Sequence, residues 1–231
     1  MAGTYQAGDR TKSEILQGSK KLFYKKGYTN TTYNDISELL GINRALIPYH
    51  FKSKQSLALS VYNEIVDYVE TKADELLDTS SMSDDLAAAF HLIIFYRLFN
   101  NKHFTNLVCE IARENYEILT DTDKELYYLT RLSDKYTRGN EETDMIIDCM
   151  NSVRLALIKR IQTGSNTSDR SSKKGNTQAS DTFAKAYINF ALRYVGTNDD
   201  TINELFNAAV QLANLIVVEI KPEFKIYVSY K

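Results

Sequence analysis

Two glycines fourteen residues apart, Gly27 and Gly41, place the tightest constraint on how this chain folds. Each follows a run with helical period and suits the left-handed residue that ends a helix. Between them, Thr32 with Asp35 three residues on reads as an N-cap in a weak capping box. Ile36, Leu39 and Leu40 then share one face of a helix over roughly Tyr33 to Leu40. Asn43 can cap a third helix, roughly Arg44 to His50, and Ser53 a long fourth one. Two short helices joined by a tight turn that holds a glycine have the layout of a helix-turn-helix unit.

The charge distribution agrees with a reader of nucleic acid at the N-terminal end. Residues 1–62 hold nine Lys/Arg against four Asp/Glu, a net of +5. The remaining residues hold 19 against 26, a net of −7, so the overall −2 conceals a basic head on an acidic body. Arg44 falls in the first turn of the third helix, where a recognition helix reaches base edges. Arginine there can bond guanine bidentately or simply touch phosphate. Thr31, Thr32 and Asn34, around the start of the second helix, are further phosphate or base candidates.

A longer set of spacings makes a family resemblance. Ile15-Leu16, Leu22-Phe23, Lys26-Gly27-Tyr28, Thr31-Thr32, Asp35-Ile36, Leu39, Gly41-Ile42, Tyr49-His50-Phe51, Lys52-Ser53-Lys54 and Leu57 resemble the TetR family of bacterial transcription regulators. The resemblance covers about 50 residues, Arg10 to Tyr62; beyond them only length and helical character agree. It implies an all-α fold: a three-helix helix-turn-helix domain over 1–53, then a larger helical bundle over 54–231 for ligand binding and dimerisation. It also implies that Tyr49, His50 and Lys54 contact the DNA backbone, with a capping role for His50 under Phe51 as the alternative. Pro48 departs from the family, which usually has an aromatic residue there. Proline inside a helix removes an amide and costs about 3 kcal/mol in reference systems. The third helix is therefore expected to bend or shrink to one turn, leaving the Arg44 carbonyl without its helical partner.

After Ser53 nearly everything has helical period, and only Pro48 and Pro222 could interrupt it. Helices are expected over about Lys54–Leu77, Asp84–Phe99, Lys102–Leu119, Lys124–Tyr136, Glu141–Gln162, Thr182–Val195 and Thr201–Ile220. A polar loop is expected over 162–181, where large apolar residues are almost lacking. In the resembled family the last two helices pair with their symmetry mates, which makes a homodimer the expectation, with Ala209 and Leu212 in its seam. The family also encloses an effector in the body. The residues assigned to that pocket are His91, Phe95, Tyr96, Phe104, Tyr116, Tyr128, Met145 and Cys149, with a plain packed core as the alternative.

Cys109 and Cys149 sit in apolar helical patterns and read as buried, reduced thiols. His91 and His103 lie at no metal-ligand spacing from a carboxylate or cysteine, so neither metal nor cofactor is assigned. The chain has no glycine-rich phosphate loop, HExxH pair or GxSxG elbow, and no catalytic residue is assigned. No apolar stretch is long enough for a membrane span or resembles a signal peptide, so a cytoplasmic protein is expected. Two functions follow. One is a ligand-responsive regulator, most simply a repressor, that binds a near-palindromic operator in double-stranded DNA and answers to an unknown small-molecule effector. The other is a relative that has lost operator binding and acts as a protein-interaction partner.

Overall fold

A computed structural model describes residues 2–114, 139–164 and 173–231. Nine α-helices and a two-stranded hairpin lie among the described residues. They run α1 (Ala2–Lys26), α2 (Tyr33–Leu40), α3 (Leu46–Phe51), α4 (Lys54–Leu77), α5 (Asp84–Leu98), α6 (Lys102–Glu114), α7 (Glu141–Gly164), α8 (Lys173–Tyr194) and α9 (Asp199–Ala213). Strands β1 (Ile216–Lys221) and β2 (Lys225–Tyr230) close the chain. The helix expected over Lys124–Tyr136 lies outside the described residues.

The fold is mostly helical, as expected, and the second helix has the bounds its capping chemistry dictates. Thr32 accepts from the Asp35 amide, and the Asp35 carboxylate accepts from the Thr32 amide, so both halves of the capping box form. Gly27 (φ 85°) and Gly41 (φ 64°) supply the left-handed stops. Ser53 caps α4 by accepting from the Ser56 amide at 2.9 Å.

A single hydrophobic core runs from Ile15 in α1 through α4, α5 and α6 to Phe224 in the hairpin turn. Helix α5 is apolar on nearly every side and lies in the middle of the body, packed against α8 and α9. Arg97 staples the three helices together. It holds Asp181 through Nε (2.8 Å) and Nη2 (2.9 Å), and donates to the Ala213 carbonyl at 2.8 Å.

Two expectations are corrected. The helix expected to run from Thr201 to Ile220 stops at Ala213, and Ile216–Lys221 is a strand. The residues explain it. Ile216, Val217, Val218 and Ile220 are all β-branched, and Ile216, Val218 and Ile220 turn inward while Val217, Glu219 and Lys221 turn outward. The antiparallel register sets Ile220 against Ile226 and Val218 against Val228. The polar loop expected over 162–181 is also shorter, because α7 continues to Gly164 and α8 already begins at Lys173. That polar composition has no proline, so nothing in it forbids helix. Residues 165–172 lie outside the described residues.

Candidate nucleic-acid interface and its link to the body

The exposed face of the helix-turn-helix is built by α2, the turn after it and α3. Asn34, in the first turn of α2, accepts a hydrogen bond from Arg44 Nη1 at 3.1 Å, and both side chains stand in solvent. Arg44 is thus held by α2 rather than ranging freely. Tyr49 is 79% exposed, and its ring meets that of His50 edge-on at 5.0 Å. Thr32 is exposed as well, though its hydroxyl is engaged by Asp35.

Pro48 does not break α3. It occupies the third residue of a six-residue helix, where an amide has no intrahelical acceptor to lose. The Arg44 carbonyl, expected to be unpartnered, accepts from the Ile47 amide at 3.2 Å in a tighter turn. Asn43 accepts from the Ala45 amide at 2.9 Å and so starts the helix from two residues upstream. The one-turn length is as the proline predicts; the stranded carbonyl is not found.

Two of the expected contact residues turn inward. Thr31 is fully buried, and its hydroxyl donates to the Gly27 carbonyl at 2.7 Å. Lys54 directs its ammonium at the carbonyls of Tyr28 (3.2 Å), Thr29 (3.4 Å) and Thr31 (3.2 Å) and lies 4.4 Å from the centre of the Tyr28 ring. It therefore gathers the last carbonyls of the α1–α2 turn. That contact offsets the poor placement of a cation at the positive end of α4. Lys26 does a similar service outside, pairing with Asp35 at 2.6 Å. The Lys26 ammonium, then the Thr32 hydroxyl and amide, hold the Asp35 carboxyl well below the usual carboxylate range.

The same turn is gripped from the body by α6. Glu110 Oε2 accepts from the Thr29 amide at 2.8 Å, and Glu114 accepts from the Tyr28 hydroxyl. Burial, and then Glu114, raise the Tyr28 phenol far above its ordinary pKa. Between α1 and α4, buried Lys20 pairs with Glu64 at 2.8 Å. Tyr24 of α1 stacks on His103 of α6 and meets Phe224 of the hairpin edge-on at 5.2 Å. Asn101 completes the joint: its Oδ1 caps α6, and its Nδ2 donates to the Ile220 carbonyl at 3.0 Å. None of these inter-element pairs has a sequence signature. The alternating β-branched run before Pro222 was the signal that could have revealed the hairpin.

The expected pocket residues divide. His91, Phe95, Tyr96 and Phe104 are buried in the body. His91 Nε2 pairs with Asp74 Oδ1 of α4 at 2.9 Å, a carboxylate that sequence spacing does not reveal. Met145 is 56% exposed and Cys149 is exposed, both on the solvent side of α7, so neither belongs with that group. Their apolar spacing marked a helix, but Ile146, Ile147 and Met150 take its inner face. Cys109 is buried as expected, and burial pushes its thiol up to about 11. Tyr116 and Tyr128 lie outside the described residues. Ala209, expected in the dimer seam, is fully buried within the chain.

Residues 15–61 match the model of bacterial regulatory proteins of the tetR family. That stretch takes in all of α2, α3 and the capping residues described above. Over those residues the chain carries the N-terminal domain of the tetR family of bacterial regulatory proteins. It is similar to the probable HTH-type transcriptional regulator ArpR of Pseudomonas putida, 29% identical over 135 residues, 52% of this chain and 64% of that protein. The HTH-type transcriptional regulator TtgR, also of Pseudomonas putida, matches at 28% over the same shares. The chain thus spans less than two thirds of the length of these curated relatives. Over 52 residues, 22% of this chain and 28% of that protein, it is 40% identical to the regulator QacR of Staphylococcus aureus. In fold, the crystal structure of RolR in complex with resorcinol superposes with a TM-score of 0.62, covering 87% of this chain and 95% of that one at 15% identity. Among the described residues, no helix is long and apolar enough to cross a membrane.

Proposed function

We propose that this TetR-family protein is a ligand-responsive transcriptional regulator, most simply a repressor, that binds a near-palindromic operator in double-stranded DNA as a homodimer. The observation that carries the reading is the exposed face on which α2 fixes Arg44 through Asn34 beside the open Tyr49 ring. Arg44 and Asn34 address bases, while Tyr49, His50 and Thr32 address the backbone. Lys54 and Thr31 shape the turn beneath that face instead of touching phosphate. The domain division follows the same lines, with residues 1–53 as the reader and 54–231 as the body for effector and partner.

The dimer seam is assigned to the outward positions of α8 and α9. Phe190, Leu205, Ala208 and Leu212 are half-buried and Tyr194 is 39% exposed in a single chain. An apolar stripe of this kind on two adjacent helices is what a second copy would cover. An effector in the body would act through α4, which begins under the reader at Lys54 and ends beside α5. It can shift the reader only by its differential affinity for the two postures, and DNA must weaken the effector by the same factor.

Selection of genomic fragments with the purified full chain tests this. The expected result is one enriched short near-palindrome, bound more weakly as salt rises because phosphates dominate the contacts. Recovery of no enriched site would sink the reading in favour of a protein-interaction role.

A further inference from the structure

The basic residues that give the N-terminal 62 residues their net positive charge are not equally available. Arg10 pairs with Glu14, Lys20 with Glu64 and Lys26 with Asp35, Arg44 is held by Asn34, and Lys54 turns inward to three carbonyls. Lys12, Lys21, Lys25 and Lys52 are exposed, and none of them has a carboxylate partner among the described residues. Their places differ. Lys21 and Lys25 lie on the side of α1 opposite Lys12. Lys12 reaches the end of α3, with its ammonium 5.8 Å from the centre of the Phe51 ring. Lys52 follows Phe51 directly in the chain. Two exposed cations from different elements are thus gathered at the C-terminal end of α3. Lys52 stands there in a costly posture. Its backbone is at φ 58° and ψ −47°, and the Ser53 amide donates back to the Phe51 carbonyl, closing a three-residue turn around it. Glycine would adopt that posture more easily than a residue with a Cβ. The Lys52 side chain is exposed, so packing does not explain why a lysine holds the position.

The far end of a recognition helix is a place where the sugar-phosphate backbone of a duplex passes the protein. Arg44 marks the near end of α3, and the open Tyr49 ring lies two residues before Phe51. Gathering two cations with no carboxylate beside them costs free energy, and an anion seated at both turns that cost into attraction. We propose that Lys12 and Lys52 are positioning residues that grip the operator's phosphate backbone at the C-terminal end of α3. They fix the depth and register of the reader and carry no base preference of their own. The ionic contact passes in this way from Lys54, which is engaged inside the α1–α2 turn, to α1 and to the turn before α4. The proposal rests on the reading of the chain as an operator-binding protein and names two residues that anchor it.

The test is the salt dependence of DNA binding by the full chain, read by fluorescence anisotropy. The probe is the operator recovered by fragment selection or, if none is recovered, a short mixed-sequence duplex. Lys12→Gln and Lys52→Gln should each reduce the slope of log affinity against log salt by about 1, and the double variant by about 2. Base preference should not change. Lys21→Gln and Lys25→Gln, on the other side of α1, should leave the slope as it is. Lys52→Gly separates the charge from the backbone. It eases the left-handed turn, so it should melt at or above the wild-type temperature and still lose the same slope. A folded variant of Lys12 or Lys52 that keeps the wild-type slope would overturn the pair. The regulator reading is judged separately by the selection itself. An operator whose binding ignores both lysines keeps that reading and loses this one. A chain that selects no operator, yet binds the mixed-sequence duplex with a slope that both lysines set, does the reverse.

Discussion

The rings of Tyr24 and His103 stack 3.8 Å apart and nearly parallel, at 16°. One belongs to α1 and the other to α6, so an aromatic contact joins the first helix to the centre of the chain beside the polar grips of Glu110 and Glu114. Phe224 closes the other side of Tyr24 from the hairpin turn. Its backbone is left-handed (φ 55°), a costly posture for a bulky residue that persists because the ring is wholly buried.

Removing that ring should be felt throughout the molecule. Phe224→Ala is expected to destabilise the chain by about 3–5 kcal/mol, the usual range for emptying a buried aromatic site. Urea unfolding followed by circular dichroism measures it. A loss below about 1 kcal/mol would mean that the hairpin is a dispensable appendage.

Lys54→Ala separates positioning from phosphate contact. Because the ammonium bonds three carbonyls, its removal should lower stability by roughly 1.5–3 kcal/mol and weaken binding to every DNA sequence. The slope of log affinity against log salt should not change. A slope reduced by about 1 would instead place Lys54 on a phosphate. Arg44→Ala, by contrast, should relax preference at one base pair per half-site, costing about 1–3 kcal/mol there.

The capping box of α2 has a defined pH window. The Asp35 carboxyl is held below its ordinary range, so the charged form is favoured by folding. Its contribution is fully present above the unfolded-state carboxylate pKa and is lost as pH falls through the lower folded value. Neutral solution should therefore show the full difference between wild type and Asp35→Asn in thermal melts, and strongly acidic solution should show it vanish. A difference that stays constant from neutral to strongly acidic pH would remove Asp35 from the box. Thr32→Ala, which deletes the cap itself, should cost about 0.5–2 kcal/mol.

Two substitutions one helical turn apart on α9 should behave differently. Leu212→Glu puts a charge on a half-buried outward position and should give folded monomers by light scattering. Ala209→Glu puts one at a site with no exposure at all and should unfold the chain before any question of assembly arises. A dimer that survives Leu212→Glu would place the seam on another face.

Local chemistry was legible from the residues. Thr32, Asp35, Gly27 and Gly41 dictated the helix-turn-helix because caps and stops act within a few residues, and the 3.6-residue apolar period laid out most of the body. Even the short α3 followed from Pro48. The strand at Ile216–Lys221 was written there too, in a β-branched alternation that helical spacing through Leu212 obscured. The tertiary structure decided which way side chains of known helices turn. Lys54 and Thr31 point in, Tyr49 points out, Met145 and Cys149 miss the core, and His91 finds Asp74. It also decided that Glu110, His103 and Phe224, far apart in sequence, converge on α1 and the turn that follows it. Such contacts depend on packing between elements, and no periodicity within one element encodes the rotation and approach of its neighbour.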